Sequence, residues 1–164
     1  MKNPAYHAQM AISSRAGEAM ISFFVAGEPA PKGSTRSFYT GGKVITTNAN
    51  RRTKDWEMRI ATEAQMMLYN ALHRPVDLGP GWVPTNKAVW VVARFLLKRP
   101  KSLPKKVIHD IKRPDLDKLI RAVLDGITGI LIEDDSQIVH IIATKQYAQP
   151  NEQHGVLIEL EEIL

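Results

Sequence analysis

Cysteine is absent from the 164-residue sequence. Its absence excludes a disulfide framework and any thiolate metal site, and suits a reducing compartment. Long apolar runs are missing as well. AVWVVARFLL, residues 88–97, is broken by Arg94 and falls well short of the roughly 20 residues that cross a bilayer. The opening MKNPAYHAQMAISSRAGEAM has one early lysine and no continuous apolar stretch, so it makes a poor secretory signal. The expected setting is the cytoplasm, with no membrane partner. G-x-S-x-G, P-loop and G-x-G-x-x-G patterns do not occur, which removes three common catalytic and nucleotide-binding templates. Histidine is sparse: His7, His73, His109, His140 and His154 show no paired ligand spacing. With cysteine also missing, zinc is disfavoured.

What is present suits one globular domain with one core: hydrophobic residues make up 44% and charged residues 24%. The net charge is +5, a weak sign of nucleic acid by itself. Its distribution says more. Lys98, Arg99, Lys101, Lys105, Lys106, Lys112 and Arg113 form a basic arm in which Asp110 is the only acid. After Pro114 the balance reverses. Lys118, Arg121 and Lys145 face Asp115, Asp117, Asp125, Glu133, Asp134, Asp135, Glu152, Glu159, Glu161 and Glu162.

Residues 1–19 show no clear period and read as a flexible extension; residues 20–164 read as the domain. MISFFVA (20–26) has the aromatic and β-branched content of a buried strand. GEPAPKG (27–33) is a loop because Pro29 and Pro31 interrupt it. RSFYTGGKVIT (36–46) reads as a hairpin in which Gly41-Gly42 supplies the positive φ of a tight turn. Residues 50–73 form a long helix, with Trp56, Ile60, Ala64, Met67 and Ala71 at helical spacing. Residues 75–84 are a loop and 88–97 a strand, and both Trp56 and Trp90 are expected in the core. Residues 98–113 are expected as an exposed loop, because packed lysines would repel one another. Leu116, Leu119, Ile120, Val123, Leu124 and Ile127 make one stripe of a second helix. Pro114 suits its start, and Asp115 and Asp117 suit its positive N-terminal end. Residues 137–146 and 155–160 are further strands. The fold class is α+β: a small single domain with a mixed β-sheet flanked by two main helices.

The segment RPDLDKLIRAVLDGITGILIEDDSQIV (113–139) places acids at both ends of that second helix. Acids in a first helical turn are common, and an acidic turn is ordinary solvated surface. The two groups together carry more. A return through the glycine-containing bend would set Asp134 or Asp135 beside Asp115 and Asp117. Clustered carboxylates repel unless a cation joins them, and hard oxygen ligands favour Mg²⁺ or Mn²⁺. Such an ion can serve phosphodiester hydrolysis, while the basic arm holds the phosphate backbone. Lys118 and Arg121 then have two readings. Each is either half of a surface ion pair, as Asp117–Arg121 at i,i+4 would be, or a cation for developing phosphate charge.

These residues resemble the signature of the RusA-type Holliday junction resolvases, a family often phage-encoded. The pattern is D-x-D entering a helix, a basic residue within it, Asp-Gly near its end, then D-D-x-Q-[IV]. VAGEPAPKGSTRSF is similar to the family's opening strand and P-x-P-K/R-x-R loop, here with Lys32 and Arg36. The resemblance runs from about Met20 to the C-terminus. It implies a homodimer that binds branched DNA such as four-way junctions and cuts it by paired, Mg²⁺-dependent nicks. It implies Asp115, Asp117 and Asp135 as catalytic metal ligands, with a catalytic cation for which Lys118 and Arg121 are the two candidates. It also implies a DNA-binding surface on Lys32, Arg36 and the basic arm. Lys118 stands where the family commonly has Asn, and Arg121 where a lysine is often found; arginine keeps the charge but is a poor proton donor.

Two rival readings remain at this level. A non-catalytic branched-DNA-binding protein would use the arm alone. A small-molecule metal-dependent phosphohydrolase would use the acids without needing the arm.

Overall fold

The computed structural model describes residues 11–15, 18–33, 35–48, 51–73 and 85–163. Along the chain these form β1 (Ala11–Arg15), β2 (Glu18–Ala26), β3 (Thr35–Thr40), β4 (Lys43–Asn48), α1 (Arg51–His73) and β5 (Val89–Leu97). They continue as α2 (Leu116–Ile127), a single 3-10 turn (Asp135–Gln137), β6 (Ile138–Tyr147) and β7 (Gly155–Glu162). Five strands build one sheet in the order β1-β2-β7-β5-β6. Its pairings are antiparallel except β5 with β6, which is parallel. A parallel pair needs a long crossover, and the basic arm plus α2 supply it. The expected α+β class and mixed sheet with two main helices are therefore found.

Strand alternation fixes the core. Val89, Val91, Ala93 and Phe95 of β5 point to one face together with Phe23, Val25, Ile158 and Leu160, all buried. Trp56, Ile60, Ala64 and Met67 from α1 and Leu119, Val123 and Ile127 from α2 belong to the same cluster. Burying such a side chain stabilises by about 1.5–3 kcal/mol each. The helices cross where α2 has a glycine. A Cβ on Gly126 would stand 2.8 Å from Ile60 Cγ2 and 3.2 Å from the Glu57 carbonyl oxygen. The Asp-Gly of the sequence pattern is thus a close helix–helix approach.

Two expectations need correction. Trp90 is not core: alternation puts it opposite Val89 and Val91, where it is 37% exposed and packs near His140. Part of the expected extension is a strand, because β1 pairs with β2 from Ala11↔Ser22 to Arg15↔Glu18. Five residues are too few to show a period, and cross-strand pairing decides instead. The hairpin occurs as expected, with Gly41 and Gly42 at φ 57° and 78°. The expected loop 75–84, including Trp82, lies outside the described residues. Among the described residues no helix is long and apolar enough to cross a membrane.

Candidate active site

α2 starts at Asp115, whose backbone is extended (φ −70°, ψ 139°). Its side chain makes no cap hydrogen bond; it receives the Lys118 ammonium at 3.0 Å instead. That hydrogen bond, the Lys118 charge, and the charges of Arg113 and Lys145 hold the Asp115 carboxyl below its ordinary pKa. Asp117 follows in the first turn and is exposed, as is Arg121. The physical reason is the apolar stripe: Leu119, Ile120 and Val123 take the buried side and leave 115, 117 and 121 to the outside. No ion pair joins Asp117 to Arg121; the pair formed here is Lys118–Asp115.

The proline loop borders this helix start. Pro31 O accepts from the buried Thr53 hydroxyl at 2.7 Å, and the Lys32 N–H donates to Lys118 O at 2.8 Å. A groove of about 590 Å³ results, lined by the Glu28–Pro31 loop, Arg52, Arg113, Pro114, Asp115 and Lys118. The Lys32 ammonium does not face it freely. It bonds Glu57 of α1 at 2.9 Å and also Asp125 of α2, so it joins the two helices. A phosphate contact from Lys32 would have to open that link. Arg36 lies on β3, and its side chain is outside the described residues.

The second acidic group divides into two roles. Asp134 caps the 3-10 turn by accepting from the Ser136 N–H at 2.9 Å, and Gln137 Oε1 accepts from the Asp134 N–H at 2.7 Å. Hydrogen bonding from Ser136 to the Asp134 carboxylate lowers its pKa. Gln137 Nε2 also donates to Thr85 O and Lys87 O, fixing the turn to the strand entering β5. Asp135, the first residue of the turn, is exposed. D-D-x-Q is therefore a capping box that presents its second aspartate.

The expected return of Asp135 to Asp115 does not occur within one chain. α2 has 12 residues, about 18 Å of helix, and Asp135 follows its far end. β6 measures the same gap. Lys145 stands beside the Asp115 end and Ile138 beside Asp135, a separation of about 23 Å at roughly 3.3 Å per residue. Among the described residues no three carboxylate or histidine side chains gather closely enough to hold one metal ion.

The basic arm is built rather than loose. Arg99 donates to Ala148 O, Pro104 O and Val107 O, and its guanidinium lies 5.5 Å from the Tyr147 ring centre. Asp110 is buried and accepts from the Tyr147 hydroxyl at 3.0 Å and the Lys112 N–H at 2.8 Å. Arg99 is thus a bracket for the arm. Lys98, Lys101, Lys105, Lys106, Lys112 and Arg113 remain exposed along it. Lys145 completes the frame by donating to Lys112 O and Pro114 O. Neither Lys145 nor Tyr147 stands out in the sequence. The available signal is a lysine at a helix-facing strand position, visible only once β5 and β6 are known to pair.

Exposed aspartates beside a fixed row of lysines suit a protein that acts on a phosphodiester backbone. The chain belongs to the RusA endodeoxyribonuclease family: the family model Endodeoxyribonuclease RusA matches residues 26–161. That family comprises Holliday junction resolvases, endonucleases that bind branched DNA junctions. The chain is also similar to the uncharacterized protein YqaN of Bacillus subtilis (strain 168). The two are 27% identical over 134 residues, covering 79% of this chain and 89% of that protein.

Proposed function

We propose that this protein is a Mg²⁺-dependent endodeoxyribonuclease that resolves four-way DNA junctions by paired nicks, and that it acts as a homodimer whose two sites are each shared between protomers. Asp115 and Asp117 of one protomer and Asp135 of its partner would hold the metal. Their hard oxygen donors fit Mg²⁺, and Mn²⁺ as a substitute. When bound, the ion would lower the pKa of a water and neutralise charge on the scissile phosphate.

The observation that carries this reading is the placement of the two acidic groups at opposite ends of α2. One chain holds half a site at each end. β6 ends the sheet, and along residues 138–145 its outer edge is unpaired among the described residues; beyond that, His109 bridges Gln146. Val139, Ile141 and Ile142 are exposed there. Such an edge is a template for another strand. Two copies related by a two-fold axis would pair their β6 strands antiparallel. That pairing sets the Asp135 end of one β6 beside the Lys145 end of the other, where Asp115 and Asp117 stand.

The chain's own cations divide the remaining work. The arm lysines and Arg113 bind backbone phosphates along a fixed track, and Arg36 is assigned the same kind of partner from its place in the sequence pattern. Lys118 and Arg121 stand on the exposed face with the aspartates and stabilise charge developing on the phosphate. A two-fold pair of sites matches two symmetric strands at a junction, which accounts for paired nicks. The test is nicking of a synthetic four-way junction against matched linear duplex, with and without Mg²⁺. The proposal expects cutting of the junction only, and only with the metal. Equal cutting of both substrates, or cutting that persists in chelator, would refute it.

A further inference from the structure

Ile141, Ala143 and Lys145 pair with Val91, Ala93 and Phe95 of β5, all three of which are buried. On the edge strand itself this face is more open: Ile141 is exposed, and Ala143 and Lys145 are half-buried. The Lys145 ammonium donates to Lys112 O at 2.6 Å and Pro114 O at 2.7 Å, residues 33 and 31 positions earlier in the chain. Hydrogen bonds from an ammonium are roughly twice as strong as neutral ones. The two acceptors flank Arg113, and the second immediately precedes Asp115. Two residues along β6, the Tyr147 hydroxyl meets Asp110, whose other contact is the Lys112 N–H. Segment 110–114 is therefore held by side chains from one strand.

We infer that Lys145 is a positioning residue for the cleavage reaction: through the backbone of residues 112–114 it sets where the Asp115 carboxylate stands, without touching DNA. The inference rests on the reading of Asp115 as a metal ligand. Two of the three ammonium donors are committed to carbonyl oxygens, so Lys145 is poorly disposed to hold a phosphate as the exposed arm lysines do. Partners that orient metal ligands typically carry about 10- to 100-fold in metal affinity or activity. Lys145 is expected to fall in that range.

The test compares Lys145→Met, Lys145→Arg and Asp115→Asn with the full-length wild type. Three quantities are read: the nicking rate at saturating junction, Mn²⁺ binding to the protein–junction complex by electron paramagnetic resonance, and junction affinity in chelator. Lys145→Met is expected to slow nicking and weaken Mn²⁺ binding by about 10- to 100-fold. Junction affinity in chelator should stay within about twofold, since Lys145 is not among the phosphate contacts. Lys145→Arg, which keeps the charge and can reach both carbonyls, should recover part of the loss. A Lys145→Met protein that cuts and binds Mn²⁺ like wild type, while Asp115→Asn is inactive, overturns the role of Lys145 alone. Loss of junction affinity with unchanged rate and Mn²⁺ binding makes Lys145 a DNA contact and also overturns it. If Lys145→Met does not fold, Lys145→Arg decides: a partial loss of Mn²⁺ binding and rate with junction affinity kept supports positioning, and wild-type values throughout or a junction-affinity defect alone opposes it. Full activity of Asp115→Asn overturns the metal-ligand reading and the inference with it.

Discussion

Two adjacent aspartates show how far a single residue's role depends on its hydrogen bonds. The residue types alone present Asp134 and Asp135 as equals, and only the family resemblance implies Asp135 as the ligand. The 3-10 turn divides their labour: the Asp134 carboxylate is engaged by the Ser136 N–H, and Asp135 is exposed beside it. Asp135→Asn should therefore reduce nicking by about a hundredfold or more with little change in thermal midpoint. Asp134→Ala should lower the thermal midpoint by removing the cap and affect nicking less. Thermal unfolding and nicking rates on the pair check this; the reverse pattern would reassign the ligand. Tyr147 offers a second residue-level test. Burial first, then its hydrogen bond to Asp110, raises the phenol above its ordinary pKa. The neutral phenol is thus favoured by the fold. Its contribution is complete below about pH 10 and is lost as pH rises through the higher folded value. Tyr147→Phe should cost about 1–3 kcal/mol near neutrality and should lack that alkaline loss. Urea midpoints at neutral and alkaline pH distinguish the two proteins.

At the level of elements, α2 was half legible. Its apolar stripe from Leu116 to Ile127 predicts one buried side, and Leu119, Ile120, Val123 and Ile127 are buried. Ala122 and Gly126 are buried too, on a side that meets α1. No periodicity count reports that contact, because it depends on the partner helix. Gly126→Ala tests the contact. In an open helix this change would stabilise by about 1 kcal/mol. Here the new methyl meets Ile60 Cγ2 at 2.8 Å and Ile60 Cβ at 2.9 Å. Overpacking of this kind costs about 1–3 kcal/mol, so the variant should be less stable than wild type by thermal unfolding. The arm shows the opposite balance. Its lysines were legible, and their expected repulsion suggested an exposed loop, as found. The contacts that fix its backbone were not: Arg99, Lys145 and the Tyr147–Asp110 pair hold it through hydrogen bonds 5 to 49 residues apart in sequence.

For the whole molecule, the mixed α+β architecture followed from strand and helix patterns, and the family pattern from about 27 residues around α2 and its flanks. The site's closure did not. Sequence proximity suggested that the bend after α2 folds the acids together, but a straight helix and a parallel crossover carry them apart. β6 at the sheet edge, with Val139, Ile141 and Ile142 exposed, offers the route by which a second copy would bring them back under the proposed function. Mixing two inactive proteins tests this directly. Asp117→Asn and Asp135→Asn variants, each dead alone, are unfolded, combined in equal amounts and refolded to exchange subunits. If each site draws on both protomers, every mixed dimer regains one intact site. Half the dimers are mixed under random pairing, so single-strand nicking should return to roughly a quarter of wild type per site. No recovery in a mixture shown to contain mixed dimers would mean that each chain closes its own site.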